Sequence, residues 1–174
     1  MRDDQTVHYF AYGSNLDPGT FLGRRRMRPL TSRVARLADY QLVFDLGVGR
    51  GERGVANVRR APGDEIWGVI YEIGLRDAAH LDRTEGVPRG AYRRLGVELE
   101  LAGDAVAAGY TLESGRGRPG RKPSLRYMGL LLKGARYHGL PEHWTERLRS
   151  FELAIDERAG QGELFGHPRD SRRR

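Results

Sequence analysis

Cysteine is absent from the 174-residue chain, which excludes a disulfide framework, thiolate catalysis and any Cys-ligated zinc or iron–sulfur site, and leaves redox chemistry a poor fit. The same absence fits a reducing cytoplasm. No run of about 18 apolar residues occurs, and Met1-Arg2-Asp3-Asp4-Gln5 is polar and acidic rather than a basic stretch leading into an apolar one. The expectation is a soluble, unprocessed cytoplasmic protein with no membrane partner. His8, His80, His138, His143 and His167 show no ligand spacing on a shared helix face, so no metal site is expected. The Gly-rich stretch from Gly47 to Gly54 lacks both the Walker lysine-hydroxyl pair and the Rossmann spacing. It reads instead as a long loop that could rim or cover a site.

Positive charge is what the chain has in excess. The formal net charge is +7 at pH 7, almost all of it from arginine. The basic residues cluster at Arg24-Arg25-Arg26, between Arg116 and Lys122, and in Arg172-Arg173-Arg174, where a helix, a loop and a frayed end each keep charge in solvent. No helix-turn-helix, zinc-finger spacing or aromatic RNA-binding signature accompanies them. The charge reads as a solvated surface with at most weak counter-ion binding, and no specific nucleic-acid partner is expected.

Alternating or continuous apolar runs predict strands near Val7–Ala11, Ser32–Phe44, Val55–Arg60, Glu65–Ile73, Ala91–Leu101 and Ala105–Leu112. Ala61-Pro62-Gly63-Asp64 is expected to join the third and fourth as a tight hairpin, and Ala102-Gly103-Asp104 the fifth and sixth. Asp17-Pro18 carries the signals of a helix running to about Arg26. A second helix is expected over Leu75–Glu85, with Leu75, Ala78, Ala79 and Leu81 near one face and Gly86 closing it. A third follows the Pro123-Ser124 cap, carries Leu125, Met128, Leu132 and Ala135, and ends at Gly139; a fourth starts at Pro141 with Trp144, Leu148 and Phe151 inward. This order describes a single α+β domain over residues 1–155, mostly antiparallel, with a polar Arg/Gly-rich tail over 156–174 that is expected to be poorly ordered.

Two places carry the residue types of a site. In Val7–Leu16 an apolar strand empties into Tyr12-Gly13-Ser14-Asn15-Leu16, which offers a close-approach glycine, a hydroxyl, an amide and free backbone N–H groups suited to a carboxylate or a developing oxyanion. The same five residues also suit a plain connector between a strand and a helix. Ser14 is a poor nucleophile, since the second glycine of a nucleophile elbow and an Asp–His pair are both missing. Glu85 sits at the expected C-terminus of a helix, where the macrodipole disfavours negative charge by roughly 0.3–1 kcal/mol. A glutamate so placed can serve proton transfer, or it can be a surface group paired with Arg83 or Arg89. Glu98 and Glu100 follow the solvent-facing period of their strand and read as structural.

Five segments in register extend this reading. Phe10-Ala11-Tyr12-Gly13-Ser14-Asn15-Leu16, Pro62-Gly63-Asp64-Glu65-Ile66-Trp67-Gly68-Val69-Ile70-Tyr71, Leu81-Asp82-Arg83-Thr84-Glu85-Gly86-Val87, Gly90-Ala91-Tyr92 and Pro123-Ser124-Leu125-Arg126-Tyr127 together resemble the gamma-glutamylcyclotransferases, along roughly Val7 to Phe151. The resemblance implies a small mixed, mostly antiparallel β-barrel with flanking helices, and an enzyme that uses no metal or organic cofactor. It implies a small-molecule γ-glutamyl substrate, cyclised to 5-oxoproline with release of an amino acid or amine, the chemistry of glutathione metabolism. A specialised γ-glutamyl amine or isopeptide as substrate, and a binding protein without turnover, remain alternatives, and a homodimer stays open. By position, Glu85 matches the family's catalytic acid/base, Tyr12, Gly13, Ser14, Asn15 and Leu16 its γ-glutamyl-holding loop, and Tyr92 and Tyr127 tyrosines of its pocket, although buried core tyrosines would look the same. Gly47–Gly54 and Glu113–Lys122 follow no motif of the family, so the γ-glutamyl end is better defined than the leaving-group end.

Overall fold

The computed structural model describes residues 5–155; the tail over 156–174 lies outside the described residues. Strand β1 (Thr6–Ala11) runs into the loop that carries the candidate site, followed by β2 (Thr31–Gly47), β3 (Gly54–Gly74) and helix α1 (Leu75–Glu85). Strands β4 (Arg93–Leu101) and β5 (Val106–Glu113) form a hairpin, and helices α2 (Leu125–His138) and α3 (Glu142–Ser150) close the described chain. The strands make a closed barrel in the order β1-β3-β2-β4-β5. All neighbours are antiparallel except β1 and β5, which meet in parallel at Tyr9 and Tyr110. The Thr111 hydroxyl donates to the Phe10 carbonyl at 2.8 Å and reinforces that seam. The barrel is mixed, mostly antiparallel and flanked by helices, and one apolar cluster joins its interior to Ala78 and Leu81 of α1, Met128, Leu131 and Ala135 of α2, and Trp144 and Leu148 of α3.

The expected hairpin at Ala61–Asp64 is not formed. These residues lie inside β3, bulging out opposite Asp39: Ala38 pairs with Glu65 and Tyr40 with Arg60. Proline has no N–H for the ladder, so Pro62 is accommodated in the bulge, where Asp39 adopts a left-handed φ of 63° and its Oδ1 accepts from Gly63 N at 2.9 Å. The bulge changes the phase of β2: Ala35 and Leu37 are buried before it, Leu42 and Phe44 after it. The hairpin turn between β2 and β3 is instead the Gly-rich stretch, which places that stretch at the tip of a long ribbon.

The helix expected from Asp17 to about Arg26 is a six-residue π-helix, Gly19–Arg24. Asp17 caps it, with its Oδ2 accepting from Thr20 N at 2.8 Å and Thr20 Oγ1 at 2.9 Å. Gly19 and Gly23 give the segment little helix propensity, and Arg26, with φ 55°, ends it. Helix α1 buries only Ala78 and Leu81, while Leu75 and Ala79 face solvent. It stops where expected, with Gly86 left-handed at φ 75°. Helix α2 is capped by Ser124 Oγ, which accepts from Tyr127 N at 3.1 Å; it turns Met128, Leu131, Gly134 and Ala135 inward and leaves Leu125 exposed. No helix among the described residues is long and apolar enough to cross a membrane.

Candidate active site

The β1 strand delivers Tyr12 and Gly13 to the mouth of the barrel, and Ser14–Leu16 turn away in a single 3-10 turn, with Leu16 N donating to Gly13 O at 3.0 Å. Helix α2 holds this turn from behind. A Cβ on Gly134 would stand 2.4 Å from the Leu16 carbonyl carbon, so only glycine permits the helix to lie that close. Tyr71 and His138 complete the support: the Tyr71 hydroxyl donates to Asn15 O at 3.3 Å and lies 2.9 Å from His138 Nε2. Burial holds the His138 imidazole below its ordinary pKa, with a hydrogen bond to the Leu16 carbonyl opposing the shift.

At the front of the turn Tyr9, Tyr12, Ser14, Glu85, Tyr92 and Tyr127 line a cleft, with Gly13 and Asn15. Glu85 is brought there by the end of α1. Its Oε1 accepts from Asn15 Nδ2 at 2.9 Å and pairs with Arg25 Nη2 at 2.8 Å, the two side chains being only 18% exposed for Arg25 and 15% for Glu85. The partner is therefore neither Arg83 nor Arg89. Asn15 links the parts: its Nδ2 also donates to the Tyr9 hydroxyl at 2.9 Å, and its Oδ1 accepts from Arg25 Nε at 2.6 Å. Arg25 Nη1 adds a bond to Thr84 Oγ1 at 3.1 Å. No donor among the described residues meets Glu85 Oε2, which is left to the cleft.

Arg25 is the residue that sequence reasoning missed. It stood as one of three consecutive arginines assigned to solvent, and nothing in the sequence separates it from Arg24 or Arg26. The wide π-turn makes the difference, because Arg25 N bonds back to Thr20 O at 2.9 Å and the side chain swings over Asn15.

The tyrosines form the wall. The Tyr12 hydroxyl donates to Leu112 O at 2.6 Å, and the Tyr127 hydroxyl accepts from Ala56 N at 3.1 Å. A Cβ on Gly13 would meet the Tyr127 hydroxyl at 3.1 Å and Ala56 Cβ at 3.2 Å, so this glycine serves close approach. Burial raises the phenol pKa of Tyr9, Tyr12, Tyr92 and Tyr127, with the Glu85 charge adding a smaller push, so all four stay neutral at physiological pH. Every residue singled out in the sequence reaches this cleft except Leu16, which is fully buried beneath it.

The Gly47–Gly54 loop borders a neighbouring cleft through Val48, Arg53 and Gly54. The Glu113–Lys122 segment packs on the β2–β3 ribbon through Asn57, whose side chain donates to Asp45 Oδ1 and Ser114 O at 2.9 Å, and contributes to neither of these two clefts. Among the described residues, no group of three histidine or acidic side chains converges to hold a metal ion.

Comparison with known proteins gives concordant matches. The model of the AIG2-like family matches residues 65–148. The mouse gamma-glutamylcyclotransferase is 31% identical over 157 residues, covering 87% of this chain and 81% of its own length. The human gamma-glutamylcyclotransferase is 31% identical over 159 residues, 86% of this chain and 81% of that protein. Among solved structures, an uncharacterized protein from Homo sapiens superposes with a TM-score of 0.77 at 29% identity, covering 88% of this chain and 91% of the other. A gamma-glutamyl cyclotransferase superposes with a TM-score of 0.75 at 26% identity, covering 93% and 100%.

Proposed function

This chain belongs to the gamma-glutamylcyclotransferase family, and we propose on that premise that Glu85 and the Tyr12–Leu16 loop carry out the cyclisation of a γ-glutamyl compound to 5-oxoproline. The observation that carries the assignment is the contact between Asn15 Nδ2 and Glu85 Oε1 at 2.9 Å, which ties the loop to the carboxylate from 70 residues away.

The substrate brings its own nucleophile, so the protein needs none. Its α-amine attacks its γ-carbonyl, a C–N bond closes the five-membered ring, and the bond to the distal nitrogen breaks. Glu85 Oε2 takes a proton from the α-ammonium and returns it to the departing nitrogen, and the second proton that the ring nitrogen sheds as the lactam forms leaves with the released amine as its ammonium, so the enzyme ends unchanged. Arg25 and Asn15 hold Oε1, so the free oxygen keeps a fixed direction. Backbone N–H groups of the Gly13–Leu16 turn and the Ser14 hydroxyl serve the substrate carboxylate or the carbonyl oxygen as charge develops. The neutral tyrosines supply hydroxyl hydrogen bonds and keep water off the reacting atoms. A reducing cytoplasm suits this chemistry, on the cysteine-free sequence alone.

The test is direct. Incubated with γ-glutamyl-alanine, the protein should release 5-oxoproline and alanine in equal amounts, read by mass spectrometry. Calorimetric binding with no product would identify a binding protein and end the catalytic reading.

A further inference from the structure

The second cleft shares the Tyr127 wall with the first. It is lined by Val48, Gly54, Val55 and Leu130 together with three arginines: Arg24 from the π-turn, Arg53 from the end of the Gly-rich loop, and Arg126 from the first turn of α2. Many other arginines of this protein are matched to carboxylates, as Arg36 is to Glu65 and Glu100, Arg59 to Asp45, Arg94 to Asp82 and Arg147 to Asp64. These three have no acidic partner among the described residues, and Arg53 Nε is buried with no hydrogen bond at all. The N-terminus of α2 opens into the same space at Ser124 and adds its partial positive charge.

The two clefts adjoin along the chain as well as in space. Arg53, Gly54 and Val55 lead directly to Ala56, whose N–H donates to the Tyr127 hydroxyl, and Ser124 and Arg126 bracket Tyr127. For a substrate whose γ-glutamyl end lies between Glu85 and the Gly13–Leu16 turn, the distal portion would reach this basic pocket around Tyr127, the residue that lines both clefts. Resting on the cyclotransferase reading, we propose that Arg24, Arg53 and Arg126 form a leaving-group subsite that selects an acidic amine, preferring a dicarboxylate amino acid to an uncharged amine and rejecting a cationic one. Guanidinium forks match carboxylates bidentately, and an unpaired, partly buried Arg53 gains a partner only when an anion arrives.

Initial rates of 5-oxoproline release from γ-glutamyl-glutamate, γ-glutamyl-methylamide and γ-glutamyl-putrescine decide the matter. The expected order of kcat/KM is dicarboxylate, uncharged, cationic, with at least about tenfold between the first two. Arg53→Gln combined with Arg126→Gln should shrink the ratio of dicarboxylate to methylamide by about fivefold or more. A measurement on the unaltered protein stands beside it: raising ionic strength from about 0.02 to 0.3 M should lower the same ratio, because screening weakens the charged contact alone. Turnover of the methylamide with a ratio near one, or a ratio indifferent to both the substitutions and salt, overturns the subsite and leaves the cyclotransferase reading standing. No 5-oxoproline from any of the three overturns both.

Discussion

Arg25 is the residue on which the geometry of Glu85 depends. It grips three groups at once, Glu85 Oε1, Asn15 Oδ1 and Thr84 Oγ1, and its planar fork fixes both the carboxylate and the amide. Misplacing a reacting group by about 1 Å can cost on the order of 10²-fold in rate. Arg25→Ala is therefore expected to lower kcat by about 10–100-fold with a smaller change in KM, and Arg25→Lys to restore little of it, since a point charge cannot span the three acceptors. Steady-state kinetics of the two variants check this; a kcat within about twofold of wild type in Arg25→Ala would remove its positioning role. Tyr127 is the corresponding wall residue. Tyr127→Phe strands the Ala56 N–H, which should cost about 1–3 kcal/mol in urea unfolding. At this scale the sequence was informative where residue type is chemically restrictive, as at Gly13, Asn15 and Glu85. It was silent on Arg25, because a run of arginines states charge but not direction.

Packed elements hold the site from behind. The Ser14–Leu16 turn rests on α2 through Gly134, where an added methyl would overlap the Leu16 backbone. Backbone cannot yield as a flexible side-chain end can, so Gly134→Ala should destabilise the fold by about 1–3 kcal/mol and lower activity together with it. A variant with unchanged melting temperature and unchanged kcat/KM would show that α2 is not the support of the turn. Helix boundaries with chemical markers were legible: Gly86 and Gly139 end α1 and α2, and Ser124 caps α2. Two elements were misread for identifiable reasons. Pro62-Gly63 carries the chemistry of a turn, but the pairing of β2 with β3 on both sides of Asp39 converts it into a bulge. Asp17-Pro18 correctly marks a helix start, yet local signals do not state whether the turn that follows is α or π.

For the whole molecule, the fold brings together residues 70 to 100 positions apart in the chain: Tyr12 with Leu112, Asn15 with Glu85, Ala56 with Tyr127. Such long-range contacts have no local signature, which is why the sequence alone supported an α+β domain and the barrel came from the resemblance. Stability should also depend on pH through the support behind the loop. His138 has a pKa lowered mainly by burial, so the unfolded chain binds more protons than the folded one once pH falls below the ordinary histidine value. The contribution is complete above about pH 6.5 and is lost as pH drops from there toward the lowered folded value. Urea midpoints at pH 7.5 and 5.5 should differ in that direction, and His138→Gln should reduce the difference; a midpoint rising on acidification would contradict the assignment.

The central claim is that the Tyr12–Leu16 loop holds the substrate and Glu85 moves its protons. Replacing Glu85 by Gln keeps an oxygen that accepts from Asn15 and Arg25 and removes only the base. The measurement is 5-oxoproline turnover beside the dissociation constant for γ-glutamyl-alanine in that one variant. Turnover should fall by about 10²–10⁴-fold while binding stays within a few-fold of wild type; near wild-type 5-oxoproline release would contradict the account.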